Sequence, residues 1–255
     1  IKFSKNGTEK VGINVYGNFS TGGVGLTGID TLSTTGNVTV TSSAYIKNIY
    51  TNGNVTLEGS ARADLISAKG WIYTKSGGTQ GDLYADKYIN ITNGSLKNAN
   101  TLSYIDWPSG GGTAQILTAG GYVSFGSSSV NTIRAKGNLN LSTWGTVSDV
   151  MSEGKIKCVS TNWGNYTLLK AISFESCPTK NATTLPAGTD SIVATGALVT
   201  VTAPNKPLVN ALSYESQANY ILDVDSNSKP VVTVKNVDGI PSGKYYIAKY
   251  TSNNI

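Results

Sequence analysis

A glycine recurs every 16 or 17 residues through much of this chain, with an apolar residue four positions before it and another two positions after it. The run TNGNVTLEGSARADLISAKGWIY, residues 51–73, contains Gly53 before Val55 and Gly70 before Ile72. The copies open at Leu32, Ile49, Ile66, Leu83, Leu117, Ile133 and Val150, with an earlier one at Ile13 and a later one at Ile192, Gly196 and Leu198. A steady period this short indicates a solenoid.

Within each copy, apolar and polar residues alternate, which is the two-residue rhythm of a β-strand. Helical repeats need about thirty residues or more for two packed helices, so they are excluded. The sequence therefore predicts an all-β fold: a parallel β-helix (β-solenoid) with coils of ~17 residues, in which Val38, Val55, Ile72 and Ile89 stack inside the rod. Neighbouring coils are expected about 4.8 Å apart.

Two stretches interrupt the rhythm. The segment near 92–116 contains DWPSGGG, and the segment 177–188 reads CPTKNATTLPAG. Because Pro and consecutive Gly residues are typical of loops, both segments are predicted to leave the rod. Residues 1–204 are thus assigned to the solenoid. Residues 205–255 are predicted to form an antiparallel meander that caps the rod or docks a second subunit.

Composition limits the classes of function. The net charge is +5, and the Lys and Arg residues are scattered, so a nucleic-acid partner is not favoured. No apolar stretch approaches eighteen residues, so no membrane span is predicted. The chain starts at Ile1, which suggests either a removed leader or a truncated sequence.

The sequence offers few candidate catalytic residues. The chain has no histidine, which excludes Ser-His-Asp and Cys-His catalysis and any histidine-bearing zinc site. Acidic residues recur just before the copies: Asp30, Asp64, Asp82, Asp149 and Asp190. Asp is favoured in tight corners, which explains these positions, and a cation bridging two of the carboxylates is the alternative. We predict no metal site, no cofactor and no enzyme activity, with a polysaccharide lyase or hydrolase as the alternative.

The two cysteines, Cys158 and Cys177, fall on neighbouring coils if the period continues past residue 154. That placement brings them near the distance that a disulfide requires. We predict a disulfide, with two free thiols as the alternative, and hence an oxidising compartment.

Aromatic residues follow several of the repeat positions. The residue after the glycine position points outward, and Trp71, Tyr88 and Tyr122 occupy it in three coils with Tyr73 beside them. Trp107, in the DWPSGGG loop, is a further candidate. Exposed aromatic rows bind sugar faces or pack against another subunit, and simple stacking between coils is the structural alternative.

The run GNVTLEGSARADLISAKGWIYTKSGGTQGDLYADKYINI, residues 53–91, resembles the coils of bactofilin-type (polymer-forming) solenoids. The closing VDGIPSGKYYIAKY is similar to strands of secreted β-helical passenger and adhesin proteins. The two resemblances imply a cell-surface or filament-forming protein.

We therefore expect an extracellular or cell-surface structural protein, a subunit of a filament, pilus or adhesin. Its partners would be copies of itself or other filament subunits. A glycan-binding module is the alternative, and a pilin-like DNA-binding tip is a weaker one.

Overall fold

The chain folds into a parallel β-solenoid of about nine turns, with no helix among the residues described here. The computed structural model describes residues 11–15, 17–22, 27–75, 77–108, 110–142, 146–158, 166–178, 181–202, 220–224, 230–234 and 243–246. At about 4.8 Å per coil, nine coils give a rod about 43 Å long. The predicted fold class is confirmed.

Each of the first eight coils contributes two strands, one to each of two faces. The strands of the first face are β1 Val11–Val15, β3 Ile29–Thr34, β5 Ile46–Thr51, β7 Leu65–Ala68, β9 Asp82–Ala85, β11 Asn98–Thr101, β13 Thr113–Ala119 and β15 Ser129–Ala135. The strands of the second face are β2 Phe19–Ser20, β4 Val38–Val40, β6 Val55–Leu57, β8 Ile72–Thr74, β10 Ile89–Ile91, β12 Ile105–Trp107, β14 Val123–Phe125 and β16 Leu139–Leu141. Each strand pairs in parallel with its equivalent one coil away.

Longer strands complete the rod and a separate sheet follows it. β17 Thr146–Cys158 pairs with both β15 and β16, β18 Tyr166–Glu175 pairs with β17, and β19 Ala182–Thr184 pairs with β18. An antiparallel sheet is formed by β20 Tyr220–Val224, β21 Pro230–Val234 and β22 Gly243–Tyr246. This sheet agrees with the meander predicted for residues 205–255, and its role as a cap or a docking segment stays a prediction.

The core is a set of side-chain columns that run along the rod axis. Val38 aligns with Val55, Val55 with Ile72, and Ile72 with Ile89, as the repeat predicted. All four side chains are buried. Each coil contributes too little apolar surface to fold alone, so its stability comes from its neighbours.

From Thr34 to Ala171, one inward column contains only Thr, Ser and Ala, and its hydroxyls bind the corner backbone. The Thr51 hydroxyl donates to the Gly36 carbonyl of the preceding coil and accepts the Gly53 N–H at 2.9 Å. Ser152 makes the same pair of bonds with Gly137 and Gly154. Because these bonds satisfy polar backbone groups at the corner, a buried hydroxyl is tolerated there.

The described residues of the segment 92–116 form a further coil and do not leave the rod. Ala99 of β11 pairs with Leu83 and Leu117, while Ile105 of β12 pairs with Ile89 and Val123. The Pro and Gly residues of DWPSGGG lengthen a corner without displacing the strands on either side of it. The excursion expected at 177–188 also returns to the sheet, through β19.

Adjacent glycines in that lengthened corner provide a matched pair of substitutions. A Cβ at Gly112 would lie against the Gly94 carbonyl oxygen, closer than the 3.0 Å that real Cβ atoms keep, whereas a Cβ at Gly111 would meet nothing within 4 Å. We expect Gly112→Ala to lower the free energy of unfolding by about 2 kcal/mol, because the coil backbone must shift. Gly111→Ala is expected to change it by less than about 0.5 kcal/mol in urea denaturation. Equal effects would contradict the close coil-to-coil approach at Gly112.

Candidate functional site: the aromatic row and the strap

One outward column of the second face changes from amides to aromatic rings and back. Its first members are asparagines whose side-chain oxygens bind the next coil. Asn37 Oδ1 accepts the Asn54 N–H, and Asn54 Oδ1 accepts the Trp71 N–H, each at 2.9 Å. Beyond the rings, Asn138 Oδ1 accepts the Lys155 N–H at the same distance. The column therefore links consecutive coils even where it carries no aromatic ring.

Four rings form a continuous aromatic row in this column. The ring centroids are 6.0 Å apart between Trp71 and Tyr88, 4.8 Å between Tyr88 and Tyr104, and 4.6 Å between Tyr104 and Tyr122. The interplanar angles are 14°, 7° and 5°. The predicted stacking of Trp71, Tyr88 and Tyr122 is present. Sequence reasoning missed Tyr104, because Ser103 replaces the glycine that marks this position in most coils.

Stacking determines what the row offers to a ligand. Each inner ring has both faces against its neighbours, so the row presents ring edges and hydroxyl groups outward. Burial among the rings raises the pKa of Tyr104 and of Tyr122, and the nearby Asp106 carboxylate adds to both shifts. A flat sugar face needs an open ring face. Only the end rings, Trp71 and Tyr122, have a ring face that is not against another ring of the row.

Tyr73 lies beside the row rather than in it. Its ring meets Trp71 edge-on, with centroids 6.5 Å apart and an interplanar angle of 73°. Lys75 Nζ lies 4.9 Å from the Tyr73 ring centroid, a cation–π contact at the surface.

Trp107 belongs to the core and not to the exposed candidates. Its side chain is fully buried and meets the Phe125 ring edge-on, with centroids 6.1 Å apart. Trp107 closes strand β12 and points inward by strand alternation, so it is not available to a ligand at the surface. The expectation for this residue was wrong because its loop was expected to leave the rod.

Residues 190–202, here called the strap, run along the rod across the coils and add no further coil. Glu153 Oε1 accepts the Ile192 N–H at 2.7 Å near the end of the rod, and Asn52 Oδ1 accepts the Val201 N–H at 2.8 Å six coils earlier. Six coil spacings are about 29 Å, and nine residues of extended chain cover about 30 Å. The strap is thus almost fully extended, and the copy expected at Ile192 and Gly196 does not exist.

Side chains of the rod hold the strap between these ends. Asp86 Oδ1 accepts the Ala197 N–H at 2.7 Å, and Ser67 Oγ accepts the Leu198 N–H at 2.8 Å. Asn52 Nδ2 also donates to the Val201 carbonyl at 2.7 Å. Asp190 accepts a bond from Lys136 Nζ at 2.6 Å, and this bond raises the pKa of the lysine. A Cβ at Gly196 would lie 2.9 Å from Leu102 Cδ1 and closer still to Asp86 Oδ1, so these side chains would have to shift.

Apolar side chains are exposed along the strap. Val193 is 82% exposed, Leu198 is 47% exposed and Val199 is 45% exposed. Leu102, which lies beside Gly196, is also exposed. Val193, Leu198, Val199 and Leu102 make up the apolar strip. They are most of the large exposed hydrophobic residues in the part of the chain that the structure describes.

The predicted disulfide is confirmed. Cys158 and Cys177 are bonded, with their Cα atoms 5.0 Å apart. The exact register differs from the simple repeat, since Phe174 pairs with Ile156 after an irregularity between Ser152 and Lys155. The bond ties the end of β17 to the segment that follows β18.

The recurring acids other than Asp64 form ion pairs. Asp30 pairs with Lys47 at 3.3 Å, and Asp82 with Lys97 at 3.4 Å. The Asp64 carboxylate accepts a 2.7 Å bond from the Tyr45 hydroxyl, which raises the pKa of that tyrosine to about 12. Among the described residues, no three His, Cys, Asp or Glu side chains lie together as metal ligands. No helix in this part of the chain could span a membrane.

Comparison of the chain with protein-family models, with curated proteins and with solved structures finds no match.

Proposed function

We propose that this chain is an extracellular structural protein, a stiff rod that associates with copies of itself or with other subunits of a surface filament, pilus or adhesin. The observation that carries the proposal is the apolar strip along a rod with a continuous core. Exposed apolar side chains grouped along one segment are typical of protein interaction sites. The role proposed is mechanical and not enzymatic.

Two further features support this proposal. The disulfide is compatible with an extracellular location, where such bonds persist. Ion pairs and axial side-chain columns connect each coil to the next, which suits a stiff element. A glycan-binding role has less support, because the inner rings of the aromatic row already use their faces on one another.

Light scattering coupled to size-exclusion chromatography, followed by electron microscopy, tests the proposal. We expect the purified protein to form dimers or elongated assemblies as its concentration rises. Rods that remain dispersed monomers at high concentration contradict the self-associating function.

A further inference from the structure

We propose that the strap is the surface through which two copies associate, with the strap of the second copy lying antiparallel to the first across a two-fold axis at Gly196. This inference rests on the proposed self-association and names the surface responsible. The two rods would lie side by side, pointing in opposite directions.

The chemistry of the strap favours an apolar partner. Residues 191–202, SIVATGALVTVT, contain no Asp, Glu, Lys or Arg. A polyanion or an acidic surface would need basic side chains here, and the segment has none. Native proteins usually protect an extended, β-prone surface segment with charges or proline, and this one lacks both.

The sequence around Gly196 is suited to pairing with itself. Val193 and Val199 lie three residues to either side of this glycine, and both are exposed. A two-fold interface uses the same patch on both subunits and needs that patch to be self-complementary. An axis at Gly196 places Val193 of one copy opposite Val199 of the other. Gly196 itself is buried against Leu102 and Asp86 of the rod, so the contacts across the axis are made by the valines on either side of it.

The strap is also presented in a defined conformation. Its main-chain N–H groups bond to Glu153, Asp86, Ser67 and Asn52 of the rod, which fix it in an extended state. Leu102 beside Gly196 widens the apolar surface at the axis. Because the strap is already ordered, little conformational entropy is lost when a second copy binds.

Site-directed cross-linking tests the geometry. A mixture of the Val193→Cys and Val199→Cys proteins, treated with a short bifunctional maleimide, is expected to form a covalent dimer. Either variant alone should give at least about tenfold less, because equivalent positions would be roughly 20 Å apart across the axis. The native cysteines form a disulfide and do not react.

A variant with an added charge in the strap tests the same surface through the affinity of dimerisation. Val193→Lys is expected to weaken dimerisation at least about tenfold in analytical ultracentrifugation, because it buries an unpaired charge against Val199 of the second copy. Ser60→Lys, an exposed position in the connection after β6, adds the same charge and should leave dimerisation unchanged. Circular dichroism checks that both variants keep the fold.

The outcomes separate the two proposals. Assemblies that persist in Val193→Lys, or equal cross-linking in the mixture and the single variants, overturn the strap interface and leave self-association standing. A wild-type protein that remains monomeric overturns both.

Discussion

Replacing Ile89 with alanine is expected to lower the free energy of unfolding by about 4 kcal/mol. The Ile89 side chain is fully buried and stacks between Ile72 and Ile105 of the neighbouring coils. Hydrogen bonds between strands hold the coils at a fixed spacing, so the neighbouring coils cannot move in to fill the cavity that alanine leaves. Urea denaturation followed by circular dichroism measures the loss.

Lys87→Ala is the matched control, since it removes an exposed side chain two residues earlier in the same coil. We expect it to change stability by less than about 0.5 kcal/mol. A loss below about 1 kcal/mol for Ile89→Ala would mean that this column does not carry the packing described here.

Loss of the disulfide is the second large effect expected. Bonding Cys158 to Cys177, 19 residues apart, restricts the unfolded chain, and its removal in Cys177→Ala should cost about 3 kcal/mol of stability. The effect should centre on the last coils, where the bond joins β17 to the chain beyond β18. Urea denaturation under non-reducing conditions measures it.

The double variant Cys158→Ala with Cys177→Ala supplies the control. Since one substitution already breaks the bond, the second should add little beyond its own packing change. Losses that simply add would show that the two residues contribute separately rather than through their bond.

The regular part of the fold could be predicted because inward and outward residues must alternate along each strand, and each inward residue must stack on the equivalent residue of the next coil. Val55 and Ile72 show both rules, as each follows a corner glycine by two residues and pairs with the other in parallel. The cysteine bond followed from the same period, even though the register shifts near Ser152. A shift of this size moves the cysteines too little to separate them.

The errors occur where a local pattern has two physical outcomes. Pro108 and its neighbouring glycines are typical of a loop, yet an enlarged corner has the same composition and keeps Trp107 inside the rod. The strap matches the repeat at Ile192 and Gly196 because buried and exposed residues alternate along any extended chain that packs on one side. Its partners, Asn52 and Glu153, are distant in sequence and give no local signal of the contact.

The candidate site was only partly accessible to prediction. The column of Trp71, Tyr88 and Tyr122 follows from the coil period. The orientation of the rings depends on side-chain rotamers, and the sequence does not determine whether ring faces or ring edges meet the solvent. The apolar strip was not foreseen, since it exists only because the strap returns over coils that precede it in the chain.

The near-complete extension of the strap has a mechanical consequence. A solenoid pulled along its axis would ordinarily resist through the non-covalent contacts between successive coils. Here a covalent backbone runs lengthwise beside six of those spacings with almost no slack, anchored at Asn52 and Glu153. Tensile load on this part of the molecule would therefore be shared by the extended backbone of the strap.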